Sequence, residues 1–470
     1  MSTSPTTTTL TVPAGDDVAS RIAALRHRVD GDVFVPGEAG YDEASLAWDR
    51  AIAHRPAVVV VAENVGDVIA TVVFAADLGQ GLGVQASGHG VVSPVDGVLL
   101  VTSRLQEVVV DAEERTAWVA AGSTSGAVVS AAQAHGLAPL VGSSPGVGMV
   151  GYAMGGGLGW LARRYGPACD AVRSFEVVTP DGSLVRACRT ENPELFRALC
   201  GGAGACGVVT DMEIALVPVT DVYAGNLYYP ADAAADVVAR WSAWAADAPA
   251  ELTSAVVMMN YPPLPEVPEE LRGRSFAVVR GCWCGPLEDG RALLDGWRAA
   301  LPPAIDAWGE MPFADVAAIS QDPVDPMPFV GSGGWLDRVD AGVGTVVAAA
   351  TFPAGGPPPL VFSEIRHLGG AVATGDRAHT TMGNRDRPFL LQMTGRPTDA
   401  TDAVAIEAHL RTTKAALGTA LTDRTYLNFL TGEERRTCAA SALDAADRRA
   451  IADTCAHVDP DDLLRFGIAP

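Results

Sequence analysis

Residues 142–159 read GSSPGVGMVGYAMGGGLG, eight glycines in eighteen positions. Residues without a Cβ lose the most backbone freedom on ordering and have nothing of their own to pack. The stretch is expected to form neither a helix nor a central strand, so a globular core has to have a reason to hold it. A shorter cluster of small residues, VQASGHGVV at 84–92, sets one imidazole, His89, where there are almost no other side chains. Both loops follow apolar, strand-like sequence, and any fold for this chain must accommodate the two.

Two familiar patterns overlap the long stretch. GVGMVG (146–151) fits GxGxxG, but that dinucleotide fingerprint needs a strand before it and a helix opening at its last glycine. Here Ser-Ser-Pro precedes it and a glycine triplet follows at 155–157. GSSPG (142–146) fits the GxSxG nucleophile elbow, whose oxyanion hole uses the N–H of the residue after the serine; Pro145 has none. What remains is backbone. Unhindered N–H groups form a concavity for a pyrophosphate, and missing Cβ atoms let a planar ring come close. For either loop alone, a tight turn or a close strand crossing is the plainer alternative.

The rest of the chain narrows the classes. Its 470 residues exceed one ordinary core and imply two domains or one with an insertion. A formal charge of −23 argues against nucleic acid, which needs clustered cations. Lys414 is the only lysine and lies in no Walker, Schiff-base or Ser-Lys motif. The start, MSTSPTTTTLTVPAGDD, lacks a basic, apolar leader, and no run of eighteen apolar residues suggests a membrane span. The eight cysteines form no CxxC, and no HExxH exists, so no metal site is expected. A reduced cytoplasmic protein is the expectation.

Periodicity gives β-α-β organisation to about residue 130. AVVVVAE (57–63) reads as a buried strand, 65–79 as a helix stopping at Gly79, and EVVVDAEERTAWVAAG as a hairpin. A second hairpin turns at Pro180-Asp181-Gly182, and CGVVTDMEIALVPV is a long alternating strand. After Val219, strand-plus-helix units recur. The fold class is α+β: residues 1–218 form one domain with its core at about 52–218. Residues 219–415 form an inserted antiparallel sheet with helices on one face, and 416–470 return to the first domain.

In combination, VQASGHG, the segment from GSSPGVG through TPDGSLV, and NPELFRALCGGAGACGVVTDMEIALVP resemble the PCMH-type FAD-binding domain of the vanillyl-alcohol-oxidase superfamily. EIRHLGGAV (364–372), YLNF (426–429) and VDPDDLLRFGIAP (458–470) resemble its berberine-bridge-enzyme-like branch. The resemblance runs from roughly residue 50 to the end and is weakest in the middle. It implies FAD held by a single covalent bond through His89, because Ser144 stands where many relatives carry a second, cysteine tether. Tyr152 replaces a histidine near the flavin pyrimidine, Gln85 a common arginine, and Ala86-Ser87 two glycines. The implied flavin contacts are Ser87, Gly88, Gly90, Gly122, Ser123, Thr124, Ser144, Gly148, Gly151, Tyr152, Gly156, Val208 and Asn428.

The implied substrate site lies between the flavin and the inserted sheet. There Glu364 and Arg366 share one face of a strand and His367 takes the other; which face is inward stays open, as does a plain Glu364–Arg366 ion pair. Tyr426 or Glu364 is the implied base, and a phenol of ordinary pKa about 10 needs a neighbour to lower it. The implied activity is an FAD-dependent oxidase with oxygen as acceptor, acting on a sugar or secondary-metabolite alcohol or hemiacetal. The alternatives are a redox-neutral natural-product cyclase and a catalytically silent flavin binder. Neither the substrate nor the oligomeric state is legible.

Overall fold

Four consecutive valines, Val58–Val61, cannot all be buried by a sheet that faces water on one side; they read as a strand covered on both faces. In the computed structural model they are the buried strand β2. The structure describes residues 16–204, 206–375 and 377–468, so residues 1–15 and the last two of the closing signature lie outside it. β2 pairs antiparallel with β1 (Asp32–Phe34) and parallel with β4 (Val98–Val101), which pairs parallel with β3 (Leu82–Gln85). The helix Val65–Asp77 crosses over between β2 and β3, capped by Asn64 accepting from the Asp67 N–H.

A second, antiparallel sheet is ordered β5-β6-β9-β7-β8. It comprises β5 (Val108–Asp111), β6 (Thr116–Ala120), β7 (Val172–Val178), β8 (Leu184–Cys188) and β9 (Val208–Ala215). Seven strands make the third sheet, also antiparallel: β10 (Asp221–Pro230), β11 (Leu252–Asn260), β12 (Ser275–Trp283), β13 (Ile305–Pro312), β14 (Val330–Leu336), β15 (Phe362–His367) and β16 (Phe389–Gly395). Their order is β13-β10-β12-β11-β15-β16-β14. The mixed α+β architecture with a helix-covered antiparallel sheet is as the sequence implies.

The third sheet is buried on both faces. Leu227, Val256, Val279, Ile365 and Leu391 pack with Trp241, Leu294, Val347 and Ile406 of the covering helices. From the other face Ala224, Ala255, Cys282 and Leu390 join one core with Leu158, Trp160 and the second sheet. Arg163 secures this contact: its guanidinium, buried, donates to the carbonyls of Ala248, Pro249, Leu252 and Leu368 at 2.6–3.1 Å.

Two expectations are corrected. Within the glycine-dense stretch, Met149–Met154 is a helix after all. It has one interior glycine, costing about 1 kcal/mol, and it buries Met149, Val150 and Ala153, which more than offsets that. The reduced reading of the cysteines fails for one pair: Cys206, beside β9, is bonded to Cys455 on the helix Ala445–Val458.

Candidate functional site

β3 delivers the loop 86–90 at its C-terminal end, and residues 46–50 grip that loop from outside. The N–H groups of Trp48 and Asp49 donate to the carbonyls of Ser87 and Gly88, each at 3.2 Å. Gly88 is left-handed at φ +77°, and a Cβ there would lie 2.7 Å from the Ala47 Cα, so only glycine fits. Gln85 braces the turn: its amide nitrogen donates to the Leu46 carbonyl, and its oxygen meets the His54 Nε2. With the carbonyls engaged outward, the N–H groups of Ser87 through Val91 have no protein acceptor among the described residues.

His89 stacks on Trp48, ring centroids 4.3 Å apart and planes 17° from parallel. Its Nδ1 lies 2.9 Å from the Ser87 hydroxyl oxygen. Burial lowers its pKa to about 4, so the imidazole is neutral at physiological pH and keeps a nucleophilic lone pair.

The second loop repeats the device. The carbonyls of Pro145 and Val147 accept from Gly126 and Ser125, and the Gly148 N–H donates to the Ser87 hydroxyl oxygen, tying the loops together. Gly148 bridges to Thr124, whose side chain caps the helix Ser125–Gln133. Gly151 faces open space, and Ser144 is half-buried in the loop. The Gly122 and Ser123 N–H groups donate to the Leu105 and Ala120 carbonyls, and the Ser123 hydroxyl donates to the Glu107 carbonyl, so these donors hold the turn. Val208 opens β9 as buried core.

The glycine triplet is packed by protein where its Cβ atoms would lie. A Cβ on Gly155 would overlap the Asn428 amide, and one on Gly156 would lie 2.9 Å from the Met382 sulfur and 3.4 Å from the Tyr426 ring. Asn428 Nδ2 donates to the Tyr152 carbonyl at 3.0 Å and to the Tyr426 hydroxyl at 3.3 Å. The Tyr152 hydroxyl is buried with no partner among the described residues. Tyr426 is buried too, and desolvation raises its pKa despite the opposing pull of Arg366.

β15 answers which face is inward. Glu364 and Arg366 point toward the glycine-loop side, where Arg366 donates to the Leu158 carbonyl and lies over the Trp160 ring. His367 points the other way, between Trp241 and Phe389 under the helices, so its substrate role is corrected: the strand's alternation carries it out of the site. Glu364 is corrected as a base. Arg366 occupies one carboxylate oxygen and Arg280 the other. Burial pushes this carboxyl up, but the two arginines together outweigh it and hold the pKa at about 2. Sequence reasoning missed Arg280, although a lone charge in the apolar run SFAVVRGCW was a visible signal. It also missed Trp48.

The described residues hold no His/Cys/Asp/Glu group suited to a metal, and no helix long and apolar enough to cross a membrane. What the site offers fits FAD: among the described residues, a row of unpaired N–H groups in the first loop for phosphates, an open Gly151, an orphaned Tyr152 hydroxyl and a neutral imidazole at the lip.

Fold and site together have the form of a PCMH-type fold with a cradle that fits FAD. Residues 56–187 match the sequence model of the FAD binding domain, and that domain is where the resemblance to the vanillyl-alcohol-oxidase superfamily lies. The (R)-6-hydroxynicotine oxidase of Paenarthrobacter nicotinovorans is 32% identical over 191 residues, 40% of this chain and 42% of that one. The leading curated relatives are matched over less than two thirds of their length. Physcomitrella patens BBE-like 1 shares the fold with a TM-score of 0.81 at 19% identity, over 94% of this chain and 97% of its own. The xylooligosaccharide oxidase of Myceliophthora thermophila C1, solved with xylobiose, superposes with a TM-score of 0.80 at 21% identity, over 96% and 98%.

Proposed function

We propose that the chain is an FAD-dependent oxidase that removes hydride from an alcohol or hemiacetal carbon of a sugar or secondary metabolite, with oxygen as final acceptor. The FAD is held by one covalent bond, to His89. The observation that carries this reading is that imidazole, neutral and fixed between Trp48 and Ser87 beside a row of unpaired N–H groups. Alkylation of a ring nitrogen needs just such a lone pair. Ser144 has no thiol for a second link. Bound FAD would supply the hydride acceptor, with its potential raised by the covalent tie.

The protein's own residues divide the remaining work. Backbone donors of both loops hold the phosphates, and Gly151 leaves room for the ring. The orphaned Tyr152 hydroxyl donates where negative charge builds on reduction. Tyr426, oriented by Asn428, takes the proton of the substrate hydroxyl in its ionised form, which the Arg366 charge favours. The sheet within residues 219–415 supplies the substrate wall. The relatives that are named oxidases, one of them solved with a sugar, support this choice.

Acid precipitation tests the bond: a yellow pellet is expected, and a colourless one with all FAD in the supernatant refutes it. Screening sugars and alcohols anaerobically tests the redox role. Substrate should bleach the flavin and release hydrogen peroxide once air is admitted, whereas turnover with the flavin still yellow would mean a redox-neutral enzyme.

A further inference from the structure

The flavin reading leaves one buried cation unused. Arg435 lies on the helix Gly432–Cys438 with its side chain buried. Among the described residues no carboxylate pairs with it. Its Nε has no partner, and its Nη1 makes only a 3.5 Å contact to the Leu430 carbonyl. A desolvated, unpaired guanidinium is costly and persists only where something compensates it. Desolvation lowers its pKa to about 10, which still leaves it charged at neutral pH.

The position of the guanidinium indicates what compensates it. A Cβ on Gly90 would lie 3.3 Å from Nη1 and 3.6 Å from Nη2, so the fork faces the first loop, next to His89. That same loop presents the unpaired N–H groups from Ser87 to Val91. Two independent sets of donors therefore converge on one place with no protein acceptor between them. The end of a flavin that bonds to His89 is hydrocarbon and accepts nothing, whereas a phosphate matches a guanidinium fork. Resting on the flavin reading above, we propose that Arg435 is a cofactor-binding residue that donates to a phosphoryl oxygen of the FAD diphosphate.

Phosphorus NMR of the intact holoenzyme tests this directly. The two diphosphate resonances should move in Arg435→Gln and move less in Arg435→Lys, while the visible flavin spectrum stays unchanged. In a His89→Ala background, where cofactor can exchange, Arg435→Gln should weaken FAD binding roughly thirty-fold and leave riboflavin binding unaltered. Unmoved phosphorus resonances, or equal losses for FAD and riboflavin, overturn the proposal. Should the glutamine variant fail to fold, the lysine variant's resonances decide. A wild-type protein that takes up no flavin overturns the parent reading along with this one; unmoved resonances in a yellow protein overturn this one alone.

Discussion

Glu364 and Tyr426 are both ionisable, both buried and both electrostatically coupled to Arg366, yet their surroundings fit them for opposite duties. Two guanidiniums hold Glu364 ionised and fully engaged, whereas burial holds Tyr426 protonated. A base that begins protonated gives a rate that climbs with pH. On the proposed mechanism, kcat/KM should rise through the accessible alkaline range, and Tyr426→Phe should flatten that rise and lower kcat about 10²- to 10⁴-fold with the flavin spectrum intact. A full rate in the phenylalanine variant would remove Tyr426 from the chemistry. His89 and His367 carry a separate pH signature, with pKa values lowered by burial to about 4 and about 3. Above about pH 6.5 both folded and unfolded forms are neutral there. Below it the unfolded chain binds protons the folded one refuses, so stability present at neutral pH is lost as pH falls toward those values, by up to about 1.4 kcal/mol per pH unit per site. Denaturant melts of the cofactor-free protein from pH 7 to 4 should show this slope, and it should shrink in His367→Phe.

Among the elements, the three-charge row across the third sheet is where stability and site construction meet. Arg280 and Arg366 each face Ala255 from opposite neighbouring strands, and Glu364 sits between the two guanidiniums. Removing the carboxylate leaves two buried cations uncompensated, so Glu364→Gln should cost about 3–5 kcal/mol in denaturant unfolding. A loss near zero would mean that water reaches the pair. Much of this scale was legible in the chain. Val58–Val61, the Pro180-Asp181-Gly182 hairpin and the alternating β9 declare themselves by local pattern. The helix Met149–Met154 does not, because its stabilisation comes from what Met149, Val150 and Ala153 bury against, and no local rule contains that. The inward face of β15 was equally hidden. Alternation separates Glu364 and Arg366 from His367, but only the packed layers on each side say which pair meets Trp160.

The whole molecule is stitched by contacts between distant parts of the sequence. Leu82 donates to the Leu463 carbonyl, Gly204 bridges to Ile468, and Cys206 is bonded to Cys455 across 249 residues. Spacing alone could not announce that disulfide. Thiol titration in denaturant without reductant should find six of the eight cysteines, and reduction should lower stability by about 2–4 kcal/mol. Eight reactive thiols would refute the pairing. The candidate site has the same long reach. His89 and the glycine loops could be picked out from sequence, yet Trp48, Arg280 and Arg435 acquire meaning only from what lies beside them in space. Asn428 meets Tyr152 across 276 residues, so the ribosome adds the second wall of the cradle about half a minute after the first. A nascent chain that has just exposed its glycine loops has no Asn428 against Gly155 and no Arg435 beside Gly90. On the proposed reading, cofactor loading is an event of the finished polypeptide, and expression at limiting riboflavin should accumulate complete but colourless protein.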